Sequence, residues 1–382
     1  MRILHCCISC FYIDNYNYQE NVIPRLNKLD GHDVQIIAST FTFKENDNKK
    51  GDYMSPVDYY NTDGIFVRRR SFANYGSELL NTKIRRVRSF YSLIEDFSPD
   101  VILFHGTSSI EIMSLIKYKK NHPHVKIYID SHADYYTSGT NVLSKRLLHG
   151  AFYRAILQKS IPYVEKFLYV SMGCGKFMKE VYKIPDEKME FFSLGGVIPT
   201  KSEIEESRIK VLKEVNVPKD SIIVLQAGKF DKNKRLIETL SNFQNVHSDN
   251  MFFLIIGSIS EDIKESFYEI IKEDERIKYL GWKSGEELDE YLNACDIYLQ
   301  PGKVSATAQN AICRECAVIL NALDEYKPFV KGNGWLIDEP EEITEILNQI
   351  KDRAMLETYK ESSKLIAKKY FDYNTISKRI YE

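Results

Sequence analysis

Short apolar runs alternate along this chain with longer stretches in which apolar residues recur every third or fourth position. The first half begins with Arg2-Ile-Leu-His-Cys-Cys-Ile8, followed by His32-Asp-Val-Gln-Ile-Ile-Ala38, Ile65-Phe-Val-Arg-Arg69, Pro99-Asp-Val-Ile-Leu-Phe-His105, Lys126-Ile-Tyr-Ile-Asp130 and Lys166-Phe-Leu-Tyr-Val-Ser171. Helical periodicity fills the intervals at about 19–28, 80–97, 109–121 and 143–161. Strands alternating with helices of this length predict an α/β architecture with a parallel, doubly wound sheet. The pattern restarts after a polar stretch that ends at Pro199, with apolar runs at 222–226, 252–257, 277–280, 297–300 and 317–320. Everything after Glu342 reads as helical, and residues 364–381 are long enough to cross back to the first domain. The expected organisation is a first domain over 1–196, a second over 197–363 and a returning helix over 364–382. Two Rossmann-like domains of this kind are expected to face each other across a cleft, where small-molecule sites form.

Composition narrows the picture by exclusion. The 382 residues are 43% hydrophobic and 28% charged, an ordinary globular balance that excludes global disorder. A formal net charge of -2 gives no general attraction to nucleic acid, so anion affinity must come from local patches. No apolar run approaches the roughly 20 residues needed to cross a bilayer. The opening Met1-Arg-Ile-Leu-His5 enters a strand directly and lacks the features of a signal peptide, so cytoplasmic residence is expected. Seven cysteines show no disulfide framework. Cys313 and Cys316 form a C-x-x-C with no second pair at zinc-site spacing, and they are read as structural thiols.

Candidate chemistry gathers in two places. Ala227-Gly-Lys-Phe-Asp-Lys-Asn-Lys-Arg235 follows the apolar run Ser221-Ile-Ile-Val-Leu-Gln226. It reads as a buried strand, a tight turn at Gly228 and a helix opening near Leu236. Lys229 and Lys234 then stand at the carboxyl edge of a sheet, where open α/β folds bind ligands. Further on, Gln300-Pro-Gly-Lys-Val-Ser-Ala-Thr-Ala-Gln-Asn310 places Ser305, Ala306 and Thr307 at the start of a helix. Ammonium groups and a helix amino terminus aimed at one crevice suit a diphosphate. Lys232 and Arg235 are read as a solvated face of the same run, while Ser305 and Thr307 also fit simple helix capping. No G-x-G-x-x-G follows the first strand and no phosphate-loop motif occurs, which counts against dinucleotide oxidoreductases and phosphate-loop enzymes. No paired-aspartate signature stands out, so neither metal nor cofactor is expected.

In these residues the chain resembles the retaining glycosyltransferases of family 4, which have the GT-B fold. Gly228-Lys-Phe-Asp-Lys-Asn-Lys234 is similar to that family's G-R-L-x-x-x-K element, with Lys229 in place of arginine. Tyr279-Leu-Gly-Trp282, followed by Glu287-Leu-Asp-Glu-Tyr-Leu-Asn-Ala-Cys-Asp-Ile-Tyr-Leu-Gln-Pro301, resembles its run from base pocket to phosphate loop. Met1-Arg-Ile-Leu-His5 and Gly31-His-Asp-Val34 match its first two strands. The resemblance implies a nucleotide-sugar donor, with UDP the expected nucleotide, and a glycan or lipid-linked glycan acceptor in surface polysaccharide assembly. It implies donor binding by Gly228, Lys229, Lys234, Gly281, Trp282, Ser305, Ala306, Thr307 and Asn310. It also implies a donor-sugar contact from His132, in Asp130-Ser-His-Ala-Asp134, alongside Lys229 and Lys234 as catalytic groups. His105 ends a strand on the same side.

One departure concerns the family's two glutamates, eight positions apart. The second falls on Asn310, and the first has no acidic counterpart in the shortened loop Lys303-Val-Ser-Ala-Thr307. An amide at Asn310 still both donates and accepts hydrogen bonds. Two other readings stay open: a nucleotide-sugar 2-epimerase on the same fold, which the absent glutamate disfavours because it needs acidic and basic groups at the sugar C2, and a non-catalytic nucleotide-sugar binder or partner subunit, which the lost carboxylate supports. In the first strand-to-helix turn, Asn15-Tyr-Asn-Tyr-Gln-Glu-Asn21, the amides of Asn17 or Gln19 stand where the family has glycines; helix capping by Asn17 fits equally. Finally, Lys83, Arg85, Arg86 and Arg88 share one face of an expected helix over 83–97, and residues 145–154 are also basic. Either stretch fits peripheral contact with an anionic membrane, or a packed helix with a solvated basic face.

Overall fold

The computed structural model of the chain describes residues 1–16, 18–44, 47–135, 138 and 144–382. Met1–Ser193 and Tyr373–Glu382 form one compact unit, and Leu194–Asp372 forms a second.

The first unit carries β1 (Arg2–Cys7), β2 (Asp33–Ser39), β3 (Phe41–Lys44), β4 (Asp47–Tyr53), β5 (Val57–Tyr60), β6 (Phe66–Arg70), β7 (Val101–Phe104), β8 (Lys126–Ser131), β9 (Lys166–Tyr169) and β10 (Met189–Phe191). Its main sheet runs β10-β9-β8-β7-β1-β2-β6-β5, and only the edge pair β5–β6 is antiparallel. Successive residues of each central strand enter opposite apolar layers. Leu4, Cys6, Ile102, Phe104, Ile127 and Ile129 pack on one face, and Ile3, Cys7, Val101, Leu103 and Tyr128 on the other. Burial on both faces is why these strands read as unbroken apolar runs. Tyr373, Ile376 and Ile380 of the returning C-terminal segment complete the second layer.

Three departures from the sequence expectation have local causes. The edge strand β5 carries little apolar signature, because most of its side chains face solvent, and β4 is polar in sequence, although Phe41 and Phe43 of β3 alternate as in a strand and Phe41 stacks on Phe11. The helix expected over 80–97 is two helices, Glu78–Ile84 and Phe90–Phe97, separated by Arg85 in the left-handed region (φ 50°). Arg85 turns its guanidinium onto the Ser9 carbonyl, so the four basic residues do not line one helical face. The long C-terminal helix ends at Tyr370 inside the second unit, where the Ser363 hydroxyl donates to the Cys316 carbonyl at 2.6 Å. Only Tyr373–Ile376 and the turn Ser377–Ile380 return to the first unit.

The second unit carries β11 (Ile222–Phe230), β12 (Met251–Ile259), β13 (Ile277–Tyr279), β14 (Ile297–Gln300), β15 (Ala317–Asn321) and β16 (Gly334–Ile337). Their order is β13-β12-β11-β14-β15-β16, parallel throughout. Both units are therefore Rossmann-like. No helix among the described residues is long and apolar enough to cross a membrane.

Candidate functional site

Strand order alone selects one place in the second unit. β11 and β14 are neighbours although two strands intervene in sequence, so the connections after them leave toward opposite sides. The crevice outside the carboxyl ends at such a switch point is where open parallel sheets take ligands.

β11 does not turn at Gly228, as the sequence suggested. It continues to Phe230, with Lys229 opposite Ser258 and Phe230 opposite Ile259. The two strands approach closely there: a Cβ on Gly257 (φ 142°) would stand 1.7 Å from the Gly228 carbonyl oxygen. The turn falls later, at Asp231–Lys234, where the Asp231 carboxylate accepts the Asn233 N–H at 2.9 Å. Helix Leu236–Gln244 follows from Arg235.

The turn after β11 is fastened to the loop after β14. The Lys303 N–H donates to the Asn233 carbonyl at 3.1 Å. Each turn is also held by a fully buried glutamine of its own strand, from mid-strand in β11 and from the last residue of β14. Gln226 Nε2 donates to the Lys234 carbonyl at 3.1 Å, and Gln300 Nε2 to the Lys303 carbonyl at 2.7 Å. Neither glutamine is marked out in the sequence beyond being a polar residue at the end of an apolar run. Tyr326 was equally silent: its hydroxyl accepts the Ser305 N–H at 2.8 Å from twenty-one residues away.

Helix Ala306–Cys313 begins just beyond. Ser305 stands at its N-cap with no side-chain capping bond, and the Ala306 and Thr307 amides have no partner among the described residues. Unsatisfied amides at a helix start favour an anion. Lys229 is exposed, Lys234 is half-buried, and neither ammonium group forms an ion pair among the described residues. Burial lowers the Lys234 pKa from its usual value, Asp231 opposes this, and nearby Lys303 adds to the lowering. An incoming anion would relieve both unfavourable influences. The structure thus brings Lys234, Lys303 and the uncapped helix start to one edge. Lys232 is exposed, and Arg235 pairs with Glu339 at 3.2 Å.

The remaining residues of this unit sit around that edge. The Gly257 N–H donates to the Gly281 carbonyl at 2.8 Å, and Trp282 beyond it is 71% exposed. Asn310 donates from Nδ2 to Asp289 at 2.8 Å, and Asp289 also holds Arg314 at 2.8 Å. Its amide nitrogen is therefore committed within the protein. Cys313 and Cys316 are buried thiols, with Cys316 Sγ on the Leu292 carbonyl at 3.3 Å.

In the first unit, Asn17 lies outside the described residues. Gln19 is buried with its amide against the Ser193 carbonyl at 3.5 Å, turned inward instead of toward the opening of the turn. His132 is one-third exposed, with Nε2 at 3.6 Å from Asp130 and 3.7 Å from Glu20. Fully buried beneath it, His105 contacts Asp130 Oδ2 through Nδ1 at 2.5 Å and His5 through Nε2 at 3.1 Å. Burial, then the neighbouring His105, lowers the His5 pKa to about 3. Burial also presses His105 down, but Asp130 overrides it and raises that pKa to about 10.

These shifts fix a sign for stability. His5 contributes stability above the usual imidazole pKa, and that contribution is lost as pH falls toward about 3. His105 contributes below the usual value, and loses its contribution as pH rises through about 10. Thermal stability should therefore peak close to the ordinary histidine pKa of about 6.5 and decline on both sides. A melting temperature that climbs steadily through that range would contradict the assignment. Among the described residues no cluster of three or more His, Cys, Asp and Glu is arranged to hold a metal ion.

Comparison with known proteins bears on the fold and on the second unit. Residues 207–369 match the family described as Glycosyl transferases group 1. A 41.2 kDa uncharacterized protein in the cps region of Klebsiella pneumoniae is 32% identical over 96 residues, a stretch spanning 25% of each chain. A glycosyltransferase from Rickettsia africae superposes with TM-score 0.67 at 14% identity, covering 99% of this chain and 96% of that one. Anabaena HepE in complex with UDP gives 0.64 at 13% identity, covering 100% and 98%. Sucrose-phosphate synthase from Thermosynechococcus elongatus gives 0.63 at 14% identity, covering 99% and 96%. At these identities the likeness establishes a shared fold, the GT-B fold of glycosyltransferases.

Proposed function

We propose that this chain is a retaining, family 4-type glycosyltransferase that moves a sugar from a UDP-sugar to a glycan or lipid-linked glycan acceptor. The observation that carries the reading is the fastening of the Lys234 turn to the Lys303–Thr307 loop at the sheet's switch point. That arrangement offers unpaired ammonium groups and open amides to one diphosphate. As the glycosidic bond breaks, negative charge grows on the leaving UDP. Fixed cations and N–H groups that need no reorganisation stabilise that charge more than they stabilise the bound donor. The reading assigns this neutralisation to protein groups, without a resident metal.

Further support comes from the family match over 207–369 and from the UDP complex of the fold relative HepE. A role in surface polysaccharide assembly draws on the cps-region relative. One observation favours a second reading, a nucleotide-sugar binder without turnover. Asn310 stands where the resemblance expects a glutamate, and its amide nitrogen is already engaged by Asp289.

A titration followed by a turnover assay separates the two. Trp282 is the exposed one of two tryptophans, so UDP binding should change its emission strongly, and Trp335→Phe should leave that response in place. Incubation with UDP-sugars, followed by phosphorus NMR, should then show UDP release that accelerates with a glycan acceptor. Binding without release would favour the non-catalytic binder. Absence of both would remove the proposal, and epimerised donor without an acceptor would redirect it to a 2-epimerase.

A further inference from the structure

A line of buried polar groups runs through the first unit from the returning C-terminal segment to His132. It begins at the Ser377 carbonyl, which accepts a hydrogen from Asn27 Nδ2 at 3.3 Å. That bond turns Asn27 Oδ1 toward His5, whose Nε2 lies 2.9 Å away. An amide oxygen only accepts, so His5 Nε2 must carry the proton. In a neutral ring His5 Nδ1 is then a lone pair, and it faces His105 Nε2 at 3.1 Å. His105 must therefore donate through Nε2. Its other nitrogen, Nδ1, lies 2.5 Å from Asp130 Oδ2, a distance that also demands a proton between them. That proton belongs to His105: burial opposes a charged Asp130, but the adjacent His105 and the Gly106 N–H hold its carboxyl below the usual carboxylate range, so His105 carries both protons as an imidazolium. All the residues in this line from Asn27 to Asp130 are 0% exposed.

We infer that Asn27 and His5 lock His105 as a permanent cation, and that the resulting His105–Asp130 pair is the positioning element for His132. The Asp130 carboxylate divides its oxygens. Oδ2 takes His105, while Oδ1 accepts the Gly106 N–H at 2.7 Å and faces His132 Nε2 at 3.6 Å. Glu20, on the first helix, approaches the same nitrogen at 3.7 Å. Among the described residues His132 Nε2 is buried without a hydrogen-bond partner, and these two carboxylates are the charged groups beside it. They draw the Nε2 edge of the ring inward, which leaves the Nδ1 edge as the one to meet a ligand in this proposal. The Glu20 carboxylate favours the cation as well, while the buried Cys7 thiol nearby is uncharged near neutral pH. The isolated cost of burying an imidazolium is large, which makes a fully partnered pair the stable form. The low His5 pKa and high His105 pKa agree with this proton placement.

The functional consequence rests on the transferase reading, in which His132 contacts the donor sugar. The test begins without any substrate. In the full chain labelled with nitrogen-15 in its histidine rings, signals are assigned with His105→Gln and His5→Asn. His105 should show two protonated nitrogens throughout the window of about pH 5–8 in which an ordinary imidazole changes charge. His5 should remain neutral with the proton on Nε2. A singly protonated His105, or one titrating inside that window, overturns the inference. Asp130→Asn should then shift the His132 ring signals and lower kcat about tenfold, with the donor KM changing less than about twofold. His105→Gln supplies the same comparison should the first variant fold poorly. Unmoved His132 signals in a folded variant would refute the positioning role. An enzyme that transfers no sugar at all would count against the transferase reading while leaving the ring spectra to decide this one.

Discussion

Replacing Lys234 by alanine should lower UDP-sugar turnover by about 10²–10³-fold, some 3–4 kcal/mol of transition-state stabilisation, while leaving the protein folded. The size follows from the setting. The ammonium is half-buried, lacks an ion pair among the described residues, and has Lys303 as a neighbour that disfavours its charge. A cation held in that state is costly to the empty protein, so removing it should leave the melting temperature unchanged or raise it. Loss of turnover with retained or improved stability distinguishes a functional lysine from one that supports the fold. Lys232→Ala, in the same turn but exposed, serves as the control and should change little. Turnover within about threefold of the parent for Lys234→Ala would remove Lys234 from the site.

Gly302→Ala is the second large effect, and it acts through the backbone. A Cβ at Gly302 would stand 2.2 Å from the Asn233 carbonyl oxygen and 2.7 Å from Lys234 Cα. Both are main-chain atoms, so no side chain can rotate away, and the two fastened turns must separate. The Lys303–Asn233 hydrogen bond should break, and the ammonium of Lys234 should move away from the start of helix Ala306–Cys313. UDP affinity should fall at least about tenfold, or 1.4 kcal/mol, with a stability loss of about 1–3 kcal/mol from overpacking. Trp282 emission reports the affinity and thermal unfolding the stability. Parental affinity in a normally stable Gly302→Ala protein would mean that the juxtaposition of the turns does not matter for binding.

Much of this architecture was legible before any coordinates. The alternation of apolar strands with amphipathic helices identified both Rossmann-like units, because a parallel sheet buried on both faces leaves long apolar runs. Helix Leu236–Gln244 opens where the sequence placed it. What escaped notice has a common cause. Strands β4 and β5 are polar or solvent-facing, and the break at Arg85 depends on a bond to Ser9, seventy-six residues away. The end of the C-terminal helix likewise reflects its packing within the second unit through Ser363 and Lys364.

The site divides along the same line. The sequence by itself determined which chemical groups follow which strand: lysines after β11, small hydroxyl residues after β14, a tryptophan after β13. These are local properties, fixed by the residue types and their distance from an apolar run. Only the tertiary structure decided that β11 lies beside β14, since strand neighbours are chosen by packing across the whole sheet. The same holds for the proton on His105, which depends on an amide in the first helix and a carbonyl near the C-terminus. Local physics named the groups, and long-range packing gave them their partners.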